Sequence, residues 1–233
     1  MTQPIVRDPI FMQATTLFHF PGACSRVTMN ALEEIGLDFE DRPVNILGGE
    51  QKSAGYLALN PRGKVPALQI GHSILTENAA ILYYLHLQQP HARLLPEDSV
   101  EFGPNAGLSD LVWCSATVHP TVRQIRMPVR FTEGDPSGVK ALGIKNFAGV
   151  AAQIAARVNR QSWWYGSAWS IVDVYLYWNY STAASGGFDL GPYPSVLEHA
   201  DRVRARPSFL RALAREQAAI ARAGLKLPPG ATL

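Results

Sequence analysis

A thiol and a hydroxyl, Cys24 and Ser25, stand side by side one residue after a proline-glycine pair in the stretch Leu17 to Asn30, LFHFPGACSRVTMN. Leu17, Phe18, His19 and Phe20 favour a strand, and Pro21-Gly22 ends it, because proline offers no ladder donor and glycine accepts positive φ. Val27, Ala31, Leu32 and Ile35 then recur at helical spacing, and Gly36 stops the run. Cys24 therefore falls in or just before a first helical turn, where unpaired N–H groups and the positive dipole end favour an anion. Two chemistries stay open from these residues alone. The cysteine is either a small buried side chain beside a helix cap, or a thiol whose pKa is lowered toward nucleophile or thiolate duty.

The elements around that stretch read as alternating strand and helix. The spacing predicts a strand near 15 to 20, the Cys24 helix to about 36, and a second strand over Phe39 to Ile46, which Pro43 confines to an edge. A short helix is expected around Lys52 to Leu57, and Asn60-Pro61-Arg62-Gly63 reads as a β-turn. Val65 to Ile70, the turn Gly71-His72 and Ser73 to Leu75 form a hairpin. Thr76-Glu77-Asn78 then caps a helix carrying Ala79, Ala80, Leu82, Tyr83 and Leu85. The order β-α-β-α-β-β-α describes a small α/β domain over 15–88, preceded by a tail, 1–14. Gln88 to Pro96 reads as a linker to an all-helical domain over 98–224. Its helices are expected near 104–130, 137–162, 170–184, 194–205 and 207–223, with Pro120 and Pro128 kinking or ending the first. Ser170-Ile171-Val172-Asp173 has the form of a capping box, a folding feature.

Composition limits the partners. With 21 basic and 19 acidic groups in 233 residues, the net charge of +2 supports neither a nucleic-acid nor a membrane partner. Arg202, Arg204, Arg206, Arg211, Arg215 and Arg222 alternate with Ala and Leu and read as a solvated helix face. Cys24 and Cys114 read as free thiols, with no metal-type spacing and no metal expected. The N-terminus lacks the unbroken apolar core of a signal peptide, so the expected location is cytoplasmic.

Three motifs in order, Pro21-Gly22-Ala23-Cys24-Ser25, Asn60-Pro61-Arg62-Gly63-Lys64-Val65-Pro66-Ala67-Leu68 and Leu75-Thr76-Glu77-Asn78-Ala79-Ala80-Ile81, resemble those of the glutathione transferase superfamily. Within it the chain is most similar to the bacterial, cysteine-containing beta class. The resemblance implies a thioredoxin-like N-terminal domain followed by an all-α C-terminal domain. It also implies glutathione as co-substrate and a homodimer.

Residue by residue, the resemblance makes Pro66 a cis-proline and gives Val65, with Lys64 beside it, the contact to the cysteinyl part of glutathione. Glu77 would meet the ammonium, and the helix start at Thr76 to Asn78 the carboxylate of the γ-glutamyl end. Asn78 departs from the serine or threonine of many members. Cys24, Ser25 and His119 would donate to the sulfur, although Pro120 and Val112 stand where the class often has lysine and asparagine. Without the resemblance, Pro66 reads equally as an edge-strand proline, Thr76 to Asn78 as plain caps, and His119 as a packing residue. Trp113, Arg123, Tyr175 and Trp178 are candidates for the wall of the second substrate, an aromatic or apolar electrophile, though aromatic residues at helical spacing also serve a core.

The expected reaction is transfer of glutathione as its thiolate to an electrophilic carbon, in a detoxification role. Ether cleavage and thiol-disulfide exchange are alternatives that use the same thiolate. A non-catalytic interaction module of the same fold is the third reading. Such modules usually carry an appended domain, whereas here only Lys226 to Leu233 follow the last expected helix.

Overall fold

The computed structural model describes residues 13–97 and 103–227. The expected tail lies outside the described residues except for Gln13 and Ala14, as does the expected start of the helical domain at 98. The first half holds β1 (Thr15–His19), α1 (Ser25–Ile35), β2 (Glu40–Pro43), α2 (Ala54–Leu59), β3 (Ala67–Ile70), β4 (Ser73–Thr76) and α3 (Asn78–Gln88). The sheet order is β2-β1-β3-β4. β1 and β2 are parallel because α1 carries the chain back between them, while β3 pairs antiparallel with both β1 and β4. β2 lies at the edge and ends at Pro43, which has no N–H to offer a further strand. Its paired length is shorter than the expected Phe39 to Ile46, since beyond Pro43 the ladder stops. Two turns work as read: the Gly63 N–H closes on Asn60 O at 2.9 Å, and Gly71 adopts φ +56° between β3 and β4.

The second half is helical: α4 (Ala106–Val112), α5 (His119–Arg126), α6 (Ser137–Val158), α7 (Ile171–Ser185), α8 (Pro194–Arg204) and α9 (Pro207–Ala223). The first expected helix, 104–130, is broken. Between α4 and α5 the residues Trp113–Val118 form a wide π-helical stretch just before Pro120, whose missing N–H leaves the Ala116 carbonyl without its α-helical donor. Past α5, Pro128 opens a separate 3₁₀ turn, Pro128–Arg130.

α7 is buried on nearly every face, so its start must satisfy its own polar groups. The fully buried Asp173 does this. Its Oδ2 accepts from the Ser170 N–H at 2.9 Å and the Ser170 hydroxyl at 3.0 Å. Its Oδ1 accepts from the Trp164 N–H at 2.7 Å and lies 3.0 Å from His199 Nε2. The capping box read from Ser170 and Asp173 is thus the centre of a larger buried network.

α1 packs against α3, α7 and α9, joining the two halves. Of the six arginines expected on a solvated face, Arg202 and Arg204 stay within the helical half, on Ser162 O and Asp201, and four reach the α/β half. Arg206 pairs with Glu34 at 2.5 Å, Arg211 and Arg215 share Glu33, and Arg222 meets Asp41 at 2.7 Å. Partly exposed pairs of this kind contribute about 0–1 kcal/mol each.

Candidate functional site

A cleft of about 670 Å³ opens between the two halves. On one side it is lined by the Pro21–Cys24 turn, Lys52, the Asn60–Pro66 loop and Thr76–Asn78; on the other by His119, Arg123, Arg126, Arg130, Tyr175 and Trp178. Its size suits a bound molecule of tripeptide scale with space beside it.

Cys24 occupies the N-cap position of α1, with helical φ of −58°, and its Sγ lies 3.9 Å from Val65 O, to which the thiol donates. The residue keeps part of its surface on the cleft, yet its crowded surroundings push the thiol up to about 12. Arg123 and Lys64 pull the other way without overcoming that desolvation. This corrects the expectation of a lowered pKa: removing a thiolate from water outweighs a helix dipole and two nearby cations. The protein alone therefore holds a neutral thiol, a donor.

Ser25 is not in the cleft. It is fully buried, and its hydroxyl donates to Phe20 O and accepts from Phe20 N–H, both at 3.2 Å, closing the end of β1 onto the start of α1. The expectation that it donates to a substrate sulfur is corrected on that geometry. Asn78 is likewise turned inward. Its Nδ2 donates to Cys24 O at 2.8 Å and its Oδ1 accepts from Thr28 at 2.6 Å, so the side chain fixes the head of α1 to the head of α3. Only its backbone remains for an anion at that helix start. Trp113 is corrected as well: it stacks on Trp164 at 5.7 Å and does not line the cleft.

The Val65–Pro66 peptide is cis. The loop before it is tied down by Lys64 O, which accepts from the Tyr56 hydroxyl at 2.7 Å and from Asn60 Nδ2 at 2.8 Å. Glu77 sits at φ +70° with its side chain 60% exposed to the cleft, 3.6 Å from Arg62 Nη1. Across the cleft His119 is set edge-on to Trp178, ring centroids 4.5 Å apart.

A family model described as "Glutathione S-transferase, N-terminal domain" matches residues 13–86. A maleylacetoacetate isomerase of Pseudomonas aeruginosa is 32% identical over 186 residues, spanning 78% of this chain and 87% of that protein. This chain belongs to the glutathione transferase superfamily. A sphingomonad glutathione S-transferase solved with glutathione superposes with a TM-score of 0.75 at 31% identity, over 87% of this chain and 98% of that one. A beta-class transferase of Sphingomonas chungbukensis gives 0.75 at 30%, over 86% and 98%. The fold is the thioredoxin-like domain followed by a helical domain of that superfamily, and glutathione is its co-substrate. The expected beta-class assignment is joined by relatives of another branch, the zeta-class isomerases.

Seen as a transferase cleft, one part escaped the sequence. Gly22, at φ +77° in the turn before Cys24, is held from both sides by the helical half. Its N–H donates to Glu216 Oε1 at 3.1 Å and its carbonyl accepts from Trp178 Nε1 at 3.0 Å. Glu216 Oε2 also accepts from Arg26 Nε at 2.9 Å and Nη2 at 2.6 Å, both side chains being buried. The nearest signal was Arg26 on the buried face of α1; its partner lies 190 positions away.

His119 is held down to about 4 by burial first, then by Arg123 and Lys64. Below an ordinary pKa of about 6.5 the unfolded chain binds this proton and the folded one does not. Acid therefore removes stability from pH 6.5 down to about 4, while the ring stays neutral at pH 7. A histidine titration by NMR is expected to place its midpoint near 4, and His119→Gln should flatten the stability loss in that window; a midpoint near 6.5 contradicts this.

Proposed function

We propose that this transferase binds glutathione across the α/β side of the cleft and directs its sulfur at an electrophilic carbon of a second substrate on the helical side. The observation that carries the reading is the convergence of the Cys24 thiol, the cis Val65–Pro66 peptide and the Glu77 carboxylate on one cleft. Glu77 is suited to the ammonium, the free N–H groups at the head of α3 to the neighbouring carboxylate, and Val65 to backbone pairing with the cysteinyl part. The Cys24 S–H replaces its contact to Val65 O by one to the sulfur, while Arg123 and Lys64 favour the thiolate by charge. His119, a weak base at a pKa of about 4, serves as an N–H donor or wall.

A second reaction, glutathione-dependent isomerisation, is favoured by the name of the P. aeruginosa relative. In it the sulfur adds to an unsaturated carbon and later departs, so no group is transferred in the end. The expected homodimer belongs to the same reading and is checked by light scattering. Among the described residues no helix is long and apolar enough to cross a membrane. Calorimetry is expected to detect glutathione binding, and a panel holding a chloronitrobenzene, a β-aryl ether and a cis-enone to reveal turnover. No affinity at millimolar glutathione would refute the proposal, and binding with no turnover of any class would leave the non-catalytic module.

A further inference from the structure

We infer that the second substrate carries an anionic group, a carboxylate, received by Arg123 and Arg130 on the helical wall. The inference rests on the glutathione reading above and replaces the apolar electrophile expected from the sequence. Its basis is the charge lining the cleft. Glu77 is the one acid among the described lining residues, and it is already beside Arg62. Against it stand Lys52, Arg62 and Lys64 on the α/β side and Arg123 and Arg130 on the other; Arg26 is committed to Glu216 and Arg126 has an interaction of its own.

Glutathione brings one ammonium and two carboxylates. Glu77 balances the first, and the α/β side holds enough cations for the other two. The helical wall is then left with its positive charge. Neither Arg123 nor Arg130 makes a side-chain hydrogen bond or ion pair with any described residue. Arg123 stands in α5 and Arg130 in the separate 3₁₀ turn that follows it, and both line the cleft.

Arg123 is part-buried with no counter-charge, which is unfavourable, and Arg130 is exposed; a carboxylate brought by the substrate removes the penalty at Arg123 and fills the planar donor forks of both. Arg123 lies near enough to Cys24 and His119 to act on both by charge, so part of its effect falls on the sulfur. Arg130 is free of that duty. Tyr175 and Trp178, their rings tilted 60° to one another, line the cleft on the same side.

The test compares 4-chloro-3,5-dinitrobenzoate with its methyl ester. In each the glutathione thiolate attacks the ring carbon bearing chlorine, a C–S bond forms, the C–Cl bond breaks and chloride leaves; only the remote charge differs. After division by the uncatalysed rates, kcat/KM should favour the acid by about 10-fold or more, and added salt should raise KM for the acid alone. Arg130→Gln should cut the ratio several-fold, and Arg123→Gln with Arg130→Gln should bring it near one.

Calorimetry on the two pre-formed glutathione conjugates reads the same preference without turnover. Because Arg123→Gln slows both compounds through the sulfur, the ratio rather than the rate is decisive. Glutathione that binds while acid and ester behave alike overturns this inference and spares the parent reading. Absence of glutathione binding takes down both.

Discussion

Glu216→Ala is expected to lower stability by about 3–5 kcal/mol, the usual consequence of removing one partner of a buried ion pair. In a chain of this size that corresponds to a fall of roughly 6–20 °C in Tm. The change strips the Arg26 guanidinium of its carboxylate and the Gly22 N–H of its acceptor in one step. A second effect follows from position, since Gly22 shapes the turn that presents Cys24: the KM for glutathione should rise along with the loss of stability. Glu216→Gln keeps an acceptor for Gly22 and should fall between. Pairing Arg26→Met with Glu216→Leu should restore most of the stability, because two matched apolar groups avoid the stranded charge, but not the glutathione affinity. Thermal unfolding and a glutathione titration read both. A single-alanine variant within 1 kcal/mol of the parent would show that the pair is structurally idle.

Cys24→Ala should reduce kcat by roughly 10²–10³, the usual effect of losing one preorganised donor to a developing anion. Cys24→Ser keeps an O–H donor at the same point and should recover most of that. Ser25→Ala should leave kcat nearly unchanged, because its hydroxyl serves Phe20. With the thiol pushed up to about 12 by desolvation, Cys24 is held as the neutral thiol at pH 7. Alkylation by iodoacetamide at neutral pH should therefore be slow in the free protein, and disulfide reduction should not be its strongest activity. Rapid alkylation, or conjugation that survives Cys24→Ala, would show that the sulfur is held by other donors.

These outcomes divide along the line between local and distant information. Gly36 ends α1, Asn60 to Gly63 make their turn and Ser170 caps α7 because each is decided within a few residues of itself. Pro66 was legible as cis only through the motifs around it. The direction in which Ser25, Asn78 and Trp113 face was not legible at all. Phe20, Thr28 and Trp164 compete for those side chains, and no spacing rule ranks an inward partner against a ligand. The lowered thiol pKa failed for a related reason: a dipole can be read from a helix start, but desolvation depends on what the second half places over it. Glu216 and Arg130 are ordinary helix and turn residues until the chain folds them against α1 and the cleft.

The backbone at Glu77 carries one more implication, for anyone who would engineer this protein. A non-glycine residue at φ +70° and ψ +119° holds about 1–3 kcal/mol of conformational strain, which glycine would largely relieve. A screen for thermal tolerance alone would therefore be drawn to replace this residue, and would discard the single acid among the described residues lining the cleft in doing so. Heat resistance and ligand recognition pull this position in opposite directions, so a stabilised variant is better sought at exposed sites remote from the cleft, such as Leu142 and Leu197.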